Sequence, residues 1–286
     1  MYQRADNTLA SPAVSFRDVS FRYHEDDPFV LSGVTFDVAA GEHVAIIGAN
    51  GSGKSTLAKH INGLLVPDSG SVTVCGLSTG DPRHTYQVRA SAGLVFQNPD
   101  DQVVTSIVRD DVAFGPENLG LPADEIVARV EDALRTVGMW NEADDDVATL
   151  SGGQRQRVAI AGILGMRPDV LVLDEPGAML DPRGRRGIRR VSRELHAAGM
   201  TVVVITQHME EAVLADRVIV LDRGRVAAIG TPAEIFTDAG RLRSLGLDVP
   251  FPVLLGEALR SRGLDVPLTL DETVLEEAIC RSASIR

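Results

Sequence analysis

Short apolar runs rich in valine and isoleucine recur at wide spacing along the chain, over residues 44–47, 170–173, 202–205 and 218–221. Their length and β-branched content predict strands buried on both faces of a parallel sheet. Helical stretches lie between them, which is the α/β pattern. The first 40 residues are patterned differently. Residues 14–21 and 31–38 alternate polar with apolar and flank the turn-rich HEDDPF, predicting a half-exposed antiparallel layer. From about residue 98 to 165 the chain leaves the sheet pattern. There Pro122 opens a helix with Ile126, Val127, Val130, Leu134 and Val137 on one face, ended by Gly138. An inserted helical lobe is expected. After about residue 236, short amphipathic pieces broken by Pro250, Pro252 and Pro267 predict a small C-terminal extension. The expected division is 1–235 for the main domain, with the lobe at about 98–165, and 236–286 for the extension.

Charge and composition narrow the classes. The 286 residues carry 28 Lys plus Arg against 40 Asp plus Glu, a net charge of −12. That excess argues against a nucleic-acid partner, which is held by a basic surface. No run approaches the ~20 apolar residues of a membrane span, and MYQRADNTLASP lacks the apolar region of a secretory signal. Cys75 and Cys280 are 205 positions apart with no CxxC partner, so neither a zinc cluster nor a disulfide framework is expected. Lysine occurs only twice, as Lys54 and Lys59.

Lys54 falls in Gly48-Ala-Asn50-Gly51-Ser52-Gly53-Lys54-Ser55-Thr56, which matches GxxxxGK[ST] and sits between a predicted strand and a helix-capable stretch. In that setting the glycines let backbone N–H groups turn inward around phosphate oxygens, and the helix N-terminus adds partial positive charge. Lys54 then places a point charge near the β and γ phosphates, and Ser55 offers its hydroxyl to Mg²⁺. The strand at 170–173 runs into Asp174 and Glu175. Asp174 suits the Mg²⁺ shell, and Glu175 the polarisation of an attacking water.

Leu150-Ser151-Gly152-Gly153-Gln154 opens a further helix, with Ser151 a candidate N-cap. It lies 97 positions after Lys54 and 23 before Asp174. With these three motifs in this order, residues 14–232 resemble the ATP-binding-cassette (ABC) ATPases. The resemblance implies a RecA-like P-loop core with an antiparallel β layer and a helical lobe, with ATP and Mg²⁺ as cofactors. It carries over Tyr23 as the aromatic on adenine, Gln97 as the glutamine that touches Mg²⁺ and links to the transport partner, and Asp181 as a link between two sites. It also implies that each ATP is sandwiched between Lys54 of one chain and Ser151 of a second ATPase chain, identical or paralogous.

Two positions depart from the family pattern. Gly177 stands where many members have Thr or Ser. In ITQHMEEA the switch-histidine position falls on Gln207, with His208 one residue late. Either a shifted loop brings His208 to the γ-phosphate, or Gln207 serves as a neutral donor. Strand alternation favours Gln207. The stretches FQNPDDQVV, DDVAFGPENLGLP, RLRSLGLDVP and LRSRGLDVPLT look like the ATPase component of energy-coupling-factor transporters. That implies membrane-spanning and substrate-binding subunits as partners, no nucleic acid, and a peripheral place on the cytoplasmic face of the cell membrane. The rival readings are a soluble cassette ATPase of DNA repair or translation and a non-hydrolysing regulatory module.

Overall fold

The computed structural model describes residues 11–178 and 180–283. Residues 1–10, where no secretory signal is expected, and Met179 of the AMLDP stretch lie outside them. β1 (Val14–Phe21) and β2 (Leu31–Val38) pair antiparallel, with Phe16 opposite Phe36 and their rings stacked at 4.7 Å. β3 (His43–Ile47) and α1 (Lys54–Ile61) follow. β4 (Ser69–Val74) and β5 (Leu77–Ser78) then complete a four-stranded sheet in the order β2-β1-β4-β5. This is the antiparallel layer expected from alternation.

α2 (Thr85–Ser91) leads into β6 (Ala92–Val95), and three helices follow: α3 (Val108–Asn118), α4 (Ala123–Thr136) and α5 (Gly152–Gly165). The chain continues through β7 (Val170–Asp174), α6 (Pro182–Ala197), β8 (Thr201–Ile205), α7 (Met209–Ala212), β9 (Arg217–Asp222) and β10 (Arg225–Gly230). It ends in α8 (Pro232–Phe236), α9 (Ala239–Ser244), α10 (Phe251–Arg260) and α11 (Glu272–Ala283). The second sheet has the order β10-β9-β3-β8-β7-β6, parallel except for the β10 edge.

Strand alternation divides the core. Val44, Ile46, Val170, Val172, Val203 and Ile205 face the antiparallel layer and α1. On the other face, Leu171, Leu173, Val202 and Val204 pack against α3 to α6. Ala45, Ile47, Val218 and Val220 pack against Phe236, Leu242, Leu247 and Val253. The segment after residue 236 thus contributes to the sheet core as far as Val253. Only Val266, Leu275 and Ala278 form a small cluster of their own.

In α4 the structure corrects one position of the expected face. Val130, Leu134 and Val137 are buried, but Val127 is 66% exposed and Ala133 takes the inward place. Residues 126, 130, 133, 134 and 137 keep the 3.6-residue stripe, and 127 falls to its solvent side.

β3 lies between β8 and β9: the chain leaving β3 next enters this sheet at β6 on one side, whereas the chain leaving β8 crosses to β9 on the other. In open parallel sheets, ligands bind at such a crevice, beyond the carboxyl ends of the strands.

Candidate functional site

Four segments converge there, each following a strand: the phosphate loop after β3, Gln97 after β6, Glu175 after β7 and Gln207 after β8. Val30, Asn50, Gly51, Gly53 to Thr56, Gln97, Glu175 and Gln207 line a cleft of about 340 Å³. The loop enters α1 through Gly53 at φ +100°, a backbone state that L side chains rarely adopt. No side chain caps α1. The N–H groups of its first turn therefore point into the cleft unclaimed, as an anion site requires.

Lys54 is 5% exposed. Its Nζ donates to the carbonyls of Gly48 at 2.9 Å and Ala49 at 3.1 Å, and lies 3.8 Å from Glu175 Oε1. Burial lowers its pKa, opposed by the charges of Glu175 and Asp174. Ser55 Oγ donates to Asp174 Oδ1 at 3.1 Å. Burial raises the Asp174 pKa against that hydrogen bond, and Lys59 joins Lys54 in favouring its charged form.

The Ser55 hydroxyl, the Asp174 carboxylate and the side-chain oxygen of Gln97 are hard oxygen donors. This is the kind of sparse set that holds Mg²⁺ alongside a nucleotide. The donors present fit that ion.

Glu175 is held by two neutral amides. Gln207 Nε2 lies 2.9 and 3.0 Å from its two carboxylate oxygens, and Gln97 Nε2 donates to Oε2 at 3.2 Å. The Glu175 backbone is left-handed at φ +47° and is tied to β8 by a 2.8 Å bond from its N–H to the Ile205 carbonyl. His208 is turned elsewhere, with Nε2 3.4 Å from Arg185 Nη1. The half-exposed Tyr23 sits at the mouth, its hydroxyl 3.0 Å from Thr56 Oγ1.

Another group of expected residues lies apart from this cleft. Ser151, Gly152, Gly153, Gln154 and Asp181 line a second cleft of about 500 Å³. Ser151 and Gln154 form a reciprocal capping box at the start of α5, with bonds of 2.9 and 3.3 Å. Asp181 caps α6 by accepting the Gly184 N–H at 2.7 Å. The chain thus presents two clefts with separate linings.

Two residues that sequence patterns did not single out also belong to this region. Thr206 and Glu211 are buried behind the Gln207 segment and bonded to each other at 2.6 Å. The neighbouring pair Glu210-Glu211 reads in sequence as a solvated helix face.

Comparison with known proteins agrees with this geometry. Residues 31–178 match the family model described as ABC transporter. The energy-coupling factor transporter ATP-binding protein EcfA1 of Caldanaerobacter subterraneus subsp. tengcongensis is 52% identical over 272 residues, covering 93% of this chain and 98% of that protein. The structure of cbiO1 from Clostridium perfringens, described as part of the ABC transporter complex cbiONQ, superposes with a TM-score of 0.75. It is 36% identical and covers 87% of this chain and 99% of that one. An ATP-binding cassette solved as a dimer in a post-hydrolysis state with ADP and Pi matches at TM-score 0.69 and 28% identity, over 77% of this chain and 98% of that one. Phosphate loop, paired carboxylates, capped signature helix and these relatives agree, and the chain belongs to the ABC transporter family, among its ATPase subunits.

Proposed function

We propose that the chain is the ATP-hydrolysing subunit of an energy-coupling-factor-type transporter and powers uptake of a micronutrient, a vitamin or transition-metal ion, through membrane partners. The observation that carries this is Glu175 within one cleft of Lys54, Gln97 and Gln207, in a chain half identical to an energy-coupling factor ATP-binding protein. Residues 1–235 form the ATP-binding domain in this reading, and 236–286 an extension with dimer contacts.

The triphosphate docks on the α1 N-terminus, and Lys54 exchanges its loop carbonyls for phosphate oxygens. Tyr23 stacks on the adenine. Ser55, Gln97 and Asp174 are the residues that would hold Mg²⁺, which would supply positive charge against the triphosphate. Glu175 accepts the proton of the attacking water, while Gln207 keeps its carboxylate aimed. The second cleft, with Ser151 to Gln154 and Asp181, covers the ATP of a second ATPase chain. Binding thereby closes the pair, and hydrolysis reopens it.

Among the described residues no helix is long and apolar enough to cross a membrane, so passage belongs to partner subunits. Exposed Tyr86, Val104 and Phe114 lie in the segments flanking Gln97, and support docking of those subunits near Gln97 and residues 100–118. In this reading the chain is peripheral, on the cytoplasmic face of the membrane. A cassette ATPase of DNA repair or translation fits less well, since the chain carries a net charge of −12 and no zinc-type ligand cluster is found among the described residues.

The test is isolation through a tag from solubilised membranes. Integral-membrane subunits should accompany the chain. In that complex Glu175→Gln should still bind ATP while losing steady-state hydrolysis by at least ~100-fold. A chain that emerges alone, or a variant with near-normal turnover, overturns the reading.

A further inference from the structure

Glu211 is 5% exposed and lies in α7, directly behind the segment that carries Gln207. Its Oε2 accepts the Thr206 hydroxyl at 2.6 Å, and Thr206 Oγ1 in turn accepts the His208 backbone N–H at 2.9 Å. The Thr206 N–H donates to the Ile46 carbonyl at 3.2 Å, close to where β3 enters the phosphate loop. Gln207 is therefore held on both sides, by a residue whose backbone is tied to β3 and by one whose N–H is tied to Thr206.

The second Glu211 oxygen, Oε1, is buried without a hydrogen-bond partner among the described residues. It bears on the turn that follows Glu175: a Cβ added at Gly177 would lie 2.6 Å from it. That turn is closed by the Ala178 N–H on the Glu175 carbonyl at 3.0 Å. Burial raises the Glu211 pKa, opposed by the Thr206 bond and by the charges of His208, Arg189 and Arg185. A buried carboxyl with one oxygen unpaired is costly for the fold. A purely structural role would be met as well by an apolar residue.

We propose that Glu211 is a positioning residue for hydrolysis: one buried carboxyl joins the segment carrying Gln207 to the turn carrying Glu175, and so fixes the distance across which Gln207 holds the base. Glu211 touches neither the phosphate loop nor the cleft, so it acts on turnover and not on ATP affinity. The proposal rests on the reading of Glu175 as the base.

The experiment compares Glu211→Ala, Glu211→Gln, Thr206→Val and the Glu211→Ala/Thr206→Val pair in the isolated membrane complex, with Glu175→Gln as reference. Glu211→Ala should lower kcat by ~10-fold or more, within the range that mispositioning of a reacting group costs, with the KM for ATP changed less than ~2-fold. Glu211→Gln keeps an oxygen for the Thr206 hydroxyl and should recover kcat to within ~3-fold of the parent. Thr206→Val, nearly isosteric, should reproduce the kcat loss. The pair should be no worse than the worse single variant, because both remove one link.

A normal kcat in Glu211→Ala, no recovery in Glu211→Gln, or multiplying losses in the pair would each overturn the proposal. Should Glu211→Ala fail to fold, Thr206→Val decides alone: the kcat loss at constant KM supports it, and normal turnover sinks it. An active Glu175→Gln overturns both this proposal and the assignment of the base. An inactive Glu175→Gln beside an unaffected Glu211→Ala overturns this proposal only.

Discussion

Gln207 and His208 are adjacent in the chain but keep different company. The Gln207 amide spans both oxygens of Glu175, whereas the His208 ring lies beside Arg185, whose charge it shares space with at 3.4 Å. Gln207→Ala should therefore lower steady-state hydrolysis by ~10-fold or more, the scale of a displaced catalytic group. His208→Ala should stay within ~3-fold. ATPase assays of the membrane complex give the order, and the reverse order would move the switch role to His208. A carboxamide offers Glu175 a neutral N–H donor, where an imidazole would offer one that changes charge. Ungapped matching of ITQHMEEA to the family's switch position, with strand alternation, already pointed to Gln207. The family pattern I-T-H-x-x-x-E-A has its Glu at position 211 and not at 210, but gave that residue no role; the turn made by the short α7 is what buries it.

At the scale of elements, the strands with uninterrupted valine and isoleucine were readable, and β6 was not. It has four residues, one of them Gly93, whose missing side chain leaves room for Ile163 of α5. Close helix packing has removed the apolar signal there. In α4 the ambiguity was of phase: residues 126 and 127 each fit a stripe through 130, 134 and 137, and packing beside α3 and α5 chose 126.

The packing of α6 on β3 carries a pH dependence. His43 at the start of β3 is 2% exposed, its ring 5.5 Å from that of His196 on α6. Burial first, then the His196 charge, pushes the His43 pKa down from 6.5 to about 4, with Asp216 opposing. Between those values the unfolded chain binds a proton that the native one does not. The native state is thus fully favoured above pH 6.5 and loses stability as pH falls toward 4, by up to about 3 kcal/mol. Among the described residues neither ring nitrogen has a hydrogen bond of ordinary length and angle, and the Leu214 backbone favours the charged ring less than burial disfavours it, so His43→Leu should fold and should flatten this part of the acid slope. Urea midpoints for both proteins at several pH values between neutral and acid would show it, and parallel curves would refute it.

On the scale of the whole molecule, the two clefts separate binding from completion of the site. Lys54 lies in one and Ser151 in the other. For the isolated chain, Lys54→Ala should abolish ATP binding, whereas Ser151→Ala should leave the ATP Kd within ~2-fold. In the complex, both should suppress hydrolysis. Equilibrium binding beside complex ATPase assays would test the pair, and loss of binding in Ser151→Ala would mean that one chain builds the site alone. Sequence could place both motifs but not their separation, since a spacing of 97 positions fixes no direction in space. The same holds for the region after residue 236. Its prolines read as a break, yet Phe236 and Val253 pack on the sheet.

The left-handed backbone of Glu175 carries a consequence for how this protein can be improved or can drift. An ordinary side chain in that state costs roughly 1–2 kcal/mol, and glycine or asparagine bears it with less strain. Thermostability and turnover therefore favour different residues at this one position. A library selected only for resistance to heat would be drawn toward Gly or Asn there, and would return a sturdier protein that still captures ATP but no longer cleaves it.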